Sequence, residues 1–234
     1  MPSPPLARPR NRLLAALSPS DFRLLQPHLS PITLKLRTVL EKPNRRIDDV
    51  YFIEAGIVSI VGTHGEHERA EGGLIGCEGM SGTSILLNSP TSPHRTYLQV
   101  AGEGQRISTE AFRKALDASQ TLHGLLLKYV QVLITQTVHT AIANAQARLD
   151  RRLARWLLMA HDRLPGDMLP LTHDFLAVML AVRRPGVTEA VHLLASQDLI
   201  RAARGQIIVL DRKGLERLAG DYYGTPEAEY RRLI

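Results

Sequence analysis

The sequence predicts an α+β chain with an N-terminal antiparallel barrel or sandwich, a long central helix and a C-terminal winged helix-turn-helix. Three observations predict this. Between Pro31 and Ser108 helical periodicity is absent, and short β-prone runs are divided by Gly, Pro and Asn. From Thr121 to Gln146 there is no Pro and a single Gly, so one helix about 39 Å long can form. From Leu171 to Leu210 two short helical runs joined by a tight break precede two apolar β runs.

Residues 1–12 hold four prolines and three arginines and read as a flexible arm. Leu13, Leu14 and Leu17, then Phe22, Leu24 and Leu25, recur at helical spacing, and Ser18-Pro19-Ser20-Asp21 between them marks a break and a new N-cap. The β runs are Ile32–Arg37, Asp49–Ile53, Ile57–Val61 and Arg95–Val100. Glu54-Ala55-Gly56 lies between two of them and fits a hairpin turn with Gly at positive φ. Thr109–Ser119 is a short amphipathic helix. In the long helix Leu122, Leu126, Tyr129, Leu133 and Thr140 are spaced by three, four or seven, which suits a seam against a second copy of the same helix.

Arg148–Leu164 forms one more helix, ended by Pro165-Gly166-Asp167. Thr172 then caps a run whose apolar face is Phe175, Leu176, Met179 and Leu180. After a break at Val182-Arg183-Arg184, Pro185 stands in the first turn of a helix with Val187, Ala190, Val191 and Leu194 inward. Leu199-Ile200 and Ile207–Leu210, divided by Arg204-Gly205, read as a wing. A recognition helix offers polar side chains from its first turns to the major groove while its other face holds the domain. The residues available for nucleic acid are Thr172, His173, Arg183, Arg184, Gly186, Val187, Thr188, Glu189 and His192, with Arg201 and Arg204 placing positive charge near a phosphate backbone.

The net charge of +6 favours polyanionic partners, but the excess is shared evenly by the two parts of the chain. The single cysteine, Cys77, excludes an intramolecular disulfide and a four-thiolate iron–sulfur cluster. The apolar run Leu13–Leu17 is too short for a signal-peptide core, and no run is long enough to span a bilayer. The chain is therefore expected to be cytoplasmic, without a membrane partner. The Gly-rich run Gly72–Gly82 lacks the spacing and the Lys-Ser/Thr of a phosphate-binding loop. His64 and His67 flank a turn and are potential metal ligands, and Cys77 is a potential redox or haem ligand; solvated loop residues and a small buried hydrophobe are the plainer readings. No arrangement of residues suggests an enzyme.

Val50–Val61, the run Arg152–Leu164 and the stretch Leu171–Ile200 together resemble the Crp/Fnr family of bacterial transcription regulators, over about Leu13 to Leu218. The resemblance implies a jelly-roll-like β-roll of the cyclic-nucleotide-binding type over 13–120, a dimerisation helix over 121–146 and a winged helix-turn-helix over 147–218. Residues 219–234 remain an unassigned tail. It implies a homodimer that reads an inverted-repeat operator in double-stranded DNA, with RNA polymerase a candidate partner. Arg184 matches the family's guanine-reading arginine, but Pro185 and Glu189 replace a glutamate and a second arginine. Arg183 stands where a small hydroxyl residue often caps the helix. In relatives that bind cyclic nucleotides, a glutamate directly after a glycine holds the ribose and Arg-Ser or Arg-Thr the phosphate. Arg95-Thr96 fits the second element, while Gly76 is followed by Cys77 and Glu78 comes one place late. The effector is thus open between a cyclic nucleotide, another ligand and none. A haem- or redox-sensing regulator, and a β-roll protein acting through a protein partner, are the rival readings.

Overall fold

The computed structural model describes residues 9–64 and 68–234. Two compact units divide it: residues up to Val58 with Ile75–Val130, and Ser59–Leu74 with Gln131–Leu233. The chain begins with α1 (Arg12–Ala16), α2 (Pro19–Leu25) and a 3-10 turn, followed by β1 (Ser30–Leu34), β2 (Val39–Glu41), β3 (Asp49–His64) and β4 (Glu68–Ile75). Then come α3 (Thr83–Leu86), β5 (Arg95–Ser108), α4 (Thr109–Ala118) and the 27-residue α5 (Gln120–Gln146). The strands form an antiparallel sheet of order β1-β5-β3-β4, with β2 also paired to β5.

The first unit closes around Leu13, Leu25, Leu34, Phe52, Ile57, Leu98 and Phe112, all buried. Phe52 and Phe112 meet edge to face at 6.1 Å, and each such side chain contributes about 2–3 kcal/mol by leaving water. The expected flexible arm does not extend through residue 12. Asn11 is fully buried, caps α1 and donates to the carbonyls of Ile53 and Gly79 at 2.7 and 2.8 Å.

The hairpin expected at Glu54-Ala55-Gly56 is absent, because β3 runs through it unbroken. Gly56 does have positive φ, +90°. Its role is close approach: a Cβ there would lie 2.6 Å from the carbonyl oxygen of Val100 on β5. The potential metal ligands His64 and His67 fall outside the residues whose side chains the structure describes.

The seam expected on α5 is also corrected. Leu122, Leu126 and Tyr129 are 0, 0 and 2% exposed and already belong to the chain's own core. Leu133 and Thr140 are half-buried on the same face, and the Thr140 hydroxyl receives Arg155 at 3.1 Å. A different stripe lies on the far side of the helix: Leu127, Ile134, Val138 and Ile142, 38 to 52% exposed.

The second unit adds α6 (Leu149–His161), β6 (Met168–Leu169), α7 (His173–Met179), α8 (Arg184–Ser196), β7 (Ile200–Ala203), β8 (Gln206–Val209), α9 (Arg212–Ala219) and α10 (Thr225–Leu233). Its sheet has the order β6-β8-β7, and its core holds Leu153, Leu157, Leu176, Val187, Leu194, Ile207 and Leu215. The unassigned tail through Leu233 is part of this unit. Arg155 donates to the carbonyl of Tyr222 at 2.9 Å. Arg212 reaches Asp162 and Tyr223, both at 2.7 Å, and the Tyr223 hydroxyl donates to Asp162 at 2.8 Å. Burial, and then the Asp162 charge, push the Tyr223 hydroxyl well above its ordinary pKa.

Candidate nucleic-acid interface

Local chemistry places α7 and α8 as the sequence requires. Thr172 accepts from the Phe175 N–H at 3.2 Å and starts α7. Arg152 donates to the carbonyl of Leu180 at the other end. Ala181 takes positive φ, +49°, in the turn between the helices. Pro185 lies in the first turn of α8, where a missing N–H costs nothing. Arg183 is the N-cap and makes no side-chain cap bond; its carbonyl accepts from the Gly186 and Val187 N–H groups at 3.0 and 3.4 Å.

The two helices are locked by polar contacts as well as by their core. His173 Nδ1 and the Thr188 hydroxyl are 3.0 Å apart, and Thr188 also donates back to the Arg184 carbonyl at 3.2 Å. Arg184 Nε lies 3.3 Å from Asp174 on α7, with both side chains largely exposed. An ion pair so open to water is worth well under about 1 kcal/mol, so Arg184 can exchange Asp174 for another acceptor at small cost. Asp174 carried no signal in the sequence.

Arg184, Thr188, Glu189 and His192 follow one another around one side of α8, and Arg184, Glu189 and His192 are exposed. Val187, Ala190, Val191 and Leu194 lie on the opposite side, all buried. Val187 is therefore a core residue and not a contact residue, a correction to its expected place in the interface. Gly186 is half-buried; a Cβ there would stand 3.3 Å from Leu149 of α6, so it serves packing. Thr172 and Arg183 are exposed and His173 is half-buried. In the wing, Arg201 and Arg204 are exposed, and Gly205 makes the β7–β8 turn with φ +75°.

The expected effector residues are arranged differently from their spacing in sequence. Arg95 is exposed and lies over the Tyr97 ring at 5.5 Å. Thr96 is 1% exposed and hydrogen-bonds Glu41, its register partner on β2. The Glu41 carboxylate also accepts from the Gly82 N–H at 2.8 Å, and burial raises its pKa against these two bonds. Glu78 accepts from the Gly76 N–H at 3.2 Å. Arg95 and Thr96 thus have opposite surroundings, and the buried carboxylate bonded to Thr96 is Glu41, which spacing alone did not suggest.

Residues 151–218 match a family model described as a Crp-like helix-turn-helix domain. The transcriptional regulator SdrP of Thermus thermophilus is 38% identical over an 81-residue alignment covering 32% of this chain and 40% of that protein. This chain thus matches less than half the length of that relative. FixK2 of Bradyrhizobium japonicum superposes with a TM-score of 0.71 at 15% identity, over 82% of this chain and 98% of that one. A protein of Eubacterium rectale described as a Crp/Fnr-family transcriptional regulator gives 0.70 at 18% identity, over 90% and 98%. Identities this low carry the fold alone. The chain carries a Crp-like helix-turn-helix domain within the fold of the Crp/Fnr family of transcriptional regulators.

Proposed function

We propose that the chain is a homodimeric, sequence-specific DNA-binding transcription regulator of the cytoplasm, and not an enzyme. A ligand or change of state in the N-terminal sheet domain controls its DNA binding. The observation that carries this reading is the exposed polar side of α8, set opposite four core residues and beside a basic wing. Arg184 offers a fork to the N7 and O6 acceptors of guanine, and Glu189 offers a carboxylate to a cytosine amine. Thr172, His173, Arg183, Thr188 and His192 line the same surface, and Arg201 and Arg204 meet phosphate. The α5 stripe of Leu127, Ile134, Val138 and Ile142 supports a dimer, since an apolar side of this length is normally covered. RNA polymerase is the partner such a regulator would address.

The test is selection of the purified chain against a randomised duplex library at near-physiological salt, with and without cyclic AMP. The expected product is an inverted repeat with half-sites about 34 Å apart, one helical turn. Recovery that depends on the nucleotide would give Arg95 and Thr96 a ligand role. Recovery of no duplex in either arm would overturn the reading.

A further inference from the structure

The β3–β4 hairpin carries a carboxylate into the core of the second unit. Glu71, on β4, is 5% exposed. On the neighbouring strand the Ser59 hydroxyl donates to Glu71 Oε2 at 2.6 Å. From α6, Trp156 Nε1 donates to Oε1 at 2.7 Å. The Ser59 oxygen is also 3.7 Å from the sulfur of Met179, the buried last residue of α7. Trp156 packs edge to face on Phe175 of α7, at 5.3 Å. The charged groups acting on Glu71 are the guanidinium groups of Arg155, on α6, and Arg163, just beyond it. Both are buried.

A hydroxyl has one hydrogen to give. An ionised carboxylate is acceptor-only, so it takes the Ser59 hydrogen. A protonated one has a hydrogen of its own: Oε2–H then donates to Ser59 Oγ, and the Ser59 hydrogen turns to the Met179 sulfur. The Trp156 bond to Oε1 survives in both states. Each state leaves these groups paired, so the site can change protonation without breaking the core.

We propose that Glu71, Ser59 and Met179 form a proton-operated switch. Uptake of one solvent proton at Glu71 redirects the Ser59 hydroxyl to Met179 and changes the hold of the β3–β4 hairpin on α7, the first helix of the helix-turn-helix. Burial raises the Glu71 pKa to about 7, against the Ser59 and Trp156 bonds and the two guanidinium charges. The switch therefore operates near neutral pH. Its effect on DNA rests on the proposed function; the proton site itself does not.

Trp156 is the chain's single tryptophan, so its emission reports on this cluster. The chain is titrated from about pH 5 to about pH 9. The expected result is a transition near pH 7 that is lost in Glu71→Gln. Ser59→Ala removes a bond that favours the ionised form and should move the midpoint upward. It also serves as the readout if Glu71→Gln does not fold. A flat wild-type titration, a transition unaltered in Glu71→Gln, or an unmoved midpoint in Ser59→Ala overturns the proton site. In the second arm, affinities for the selected duplex are measured across the same range. The ratio of wild type to Glu71→Gln should change by about fivefold or more, and the comparison cancels every pH effect that the two proteins share. A constant ratio overturns the regulatory step. Failure of both proteins to bind any duplex overturns the DNA-binding reading, with the fluorescence arm still deciding the proton site.

Discussion

The polar residues on α8 and those around Glu71 belong to the same folding unit and live in opposite surroundings. Arg184, Glu189 and His192 are exposed, and the ion pair of Arg184 with Asp174 is open to water. Glu71 and Arg155 are buried and bonded on several sides. Glu41 and Thr96 in the first unit follow the second pattern. The difference separates two kinds of work. Exposed polar groups keep capacity for an outside partner, whereas enclosed ones have spent it inside the chain. Substitution on the open surfaces should change binding with little change in stability, whereas substitution in the enclosed cluster should change stability, and binding only through the protonation of Glu71.

The strongest expected effect comes from the open stripe of α5. Ile134→Asp combined with Val138→Asp should leave monomers in sedimentation at micromolar concentration. It should also weaken binding to the inverted repeat on the order of 1,000-fold, because two linked half-site contacts become one. A wild type that is already monomeric would break the comparison at this point.

Next is the enclosed carboxylate. Glu71 has a folded pKa of about 7 against an ordinary value of 4.5, so the folded chain holds this proton to higher pH than the unfolded chain. Its contribution is therefore most favourable below pH 4.5 and is lost as pH rises to about 7. Relative to Glu71→Gln, the wild type should lose up to about 3 kcal/mol across that window. Urea unfolding at matched pH measures it, and equal pH profiles for the two proteins would remove the assigned shift.

Arg184→Ala should cost about 1–3 kcal/mol on the selected site and relax the preference for guanine, with an unchanged melting temperature. Retention of the full base preference would remove Arg184 from its reading role. The smallest effect belongs to the wing. Arg201→Ala should weaken all sequences about equally and lower the salt dependence by about one ion. A change confined to one base pair would instead make Arg201 a base contact.

The winged helix was legible because short-range chemistry specifies it. Thr172 caps the helix three residues ahead, Pro185 sits in a first turn, and Gly205 makes a two-residue turn. Gly56 shows the limit of that signal. Its positive φ could be read from sequence, but a positive φ serves a turn and a close strand approach alike, and only β5 distinguishes them. The spacing on α5 likewise identified a helix with apolar residues, yet two sides of it are apolar. The set that the spacing suggested for a seam, Leu122, Leu126 and Tyr129, went to the chain's own core. Asn11 in a Pro/Arg-rich arm looked solvated until its carbonyl partners were brought to it from Ile53 and Gly79.

What the sequence by itself determined is therefore the order of elements, the two helices and wing of the C-terminal motif, and the polar side of α8. Each depends on residues within about one helical turn of one another. Only the tertiary structure decided which side of α5 is free, that Val187 is core, that Thr96 is bonded to Glu41, and that Ser59, Glu71, Trp156 and Met179 share one cluster. Those four residues span 120 positions from Ser59 to Met179. Periodicity carries no information at that separation, and the pairing exists only once burial excludes water and leaves each polar group its neighbours as partners.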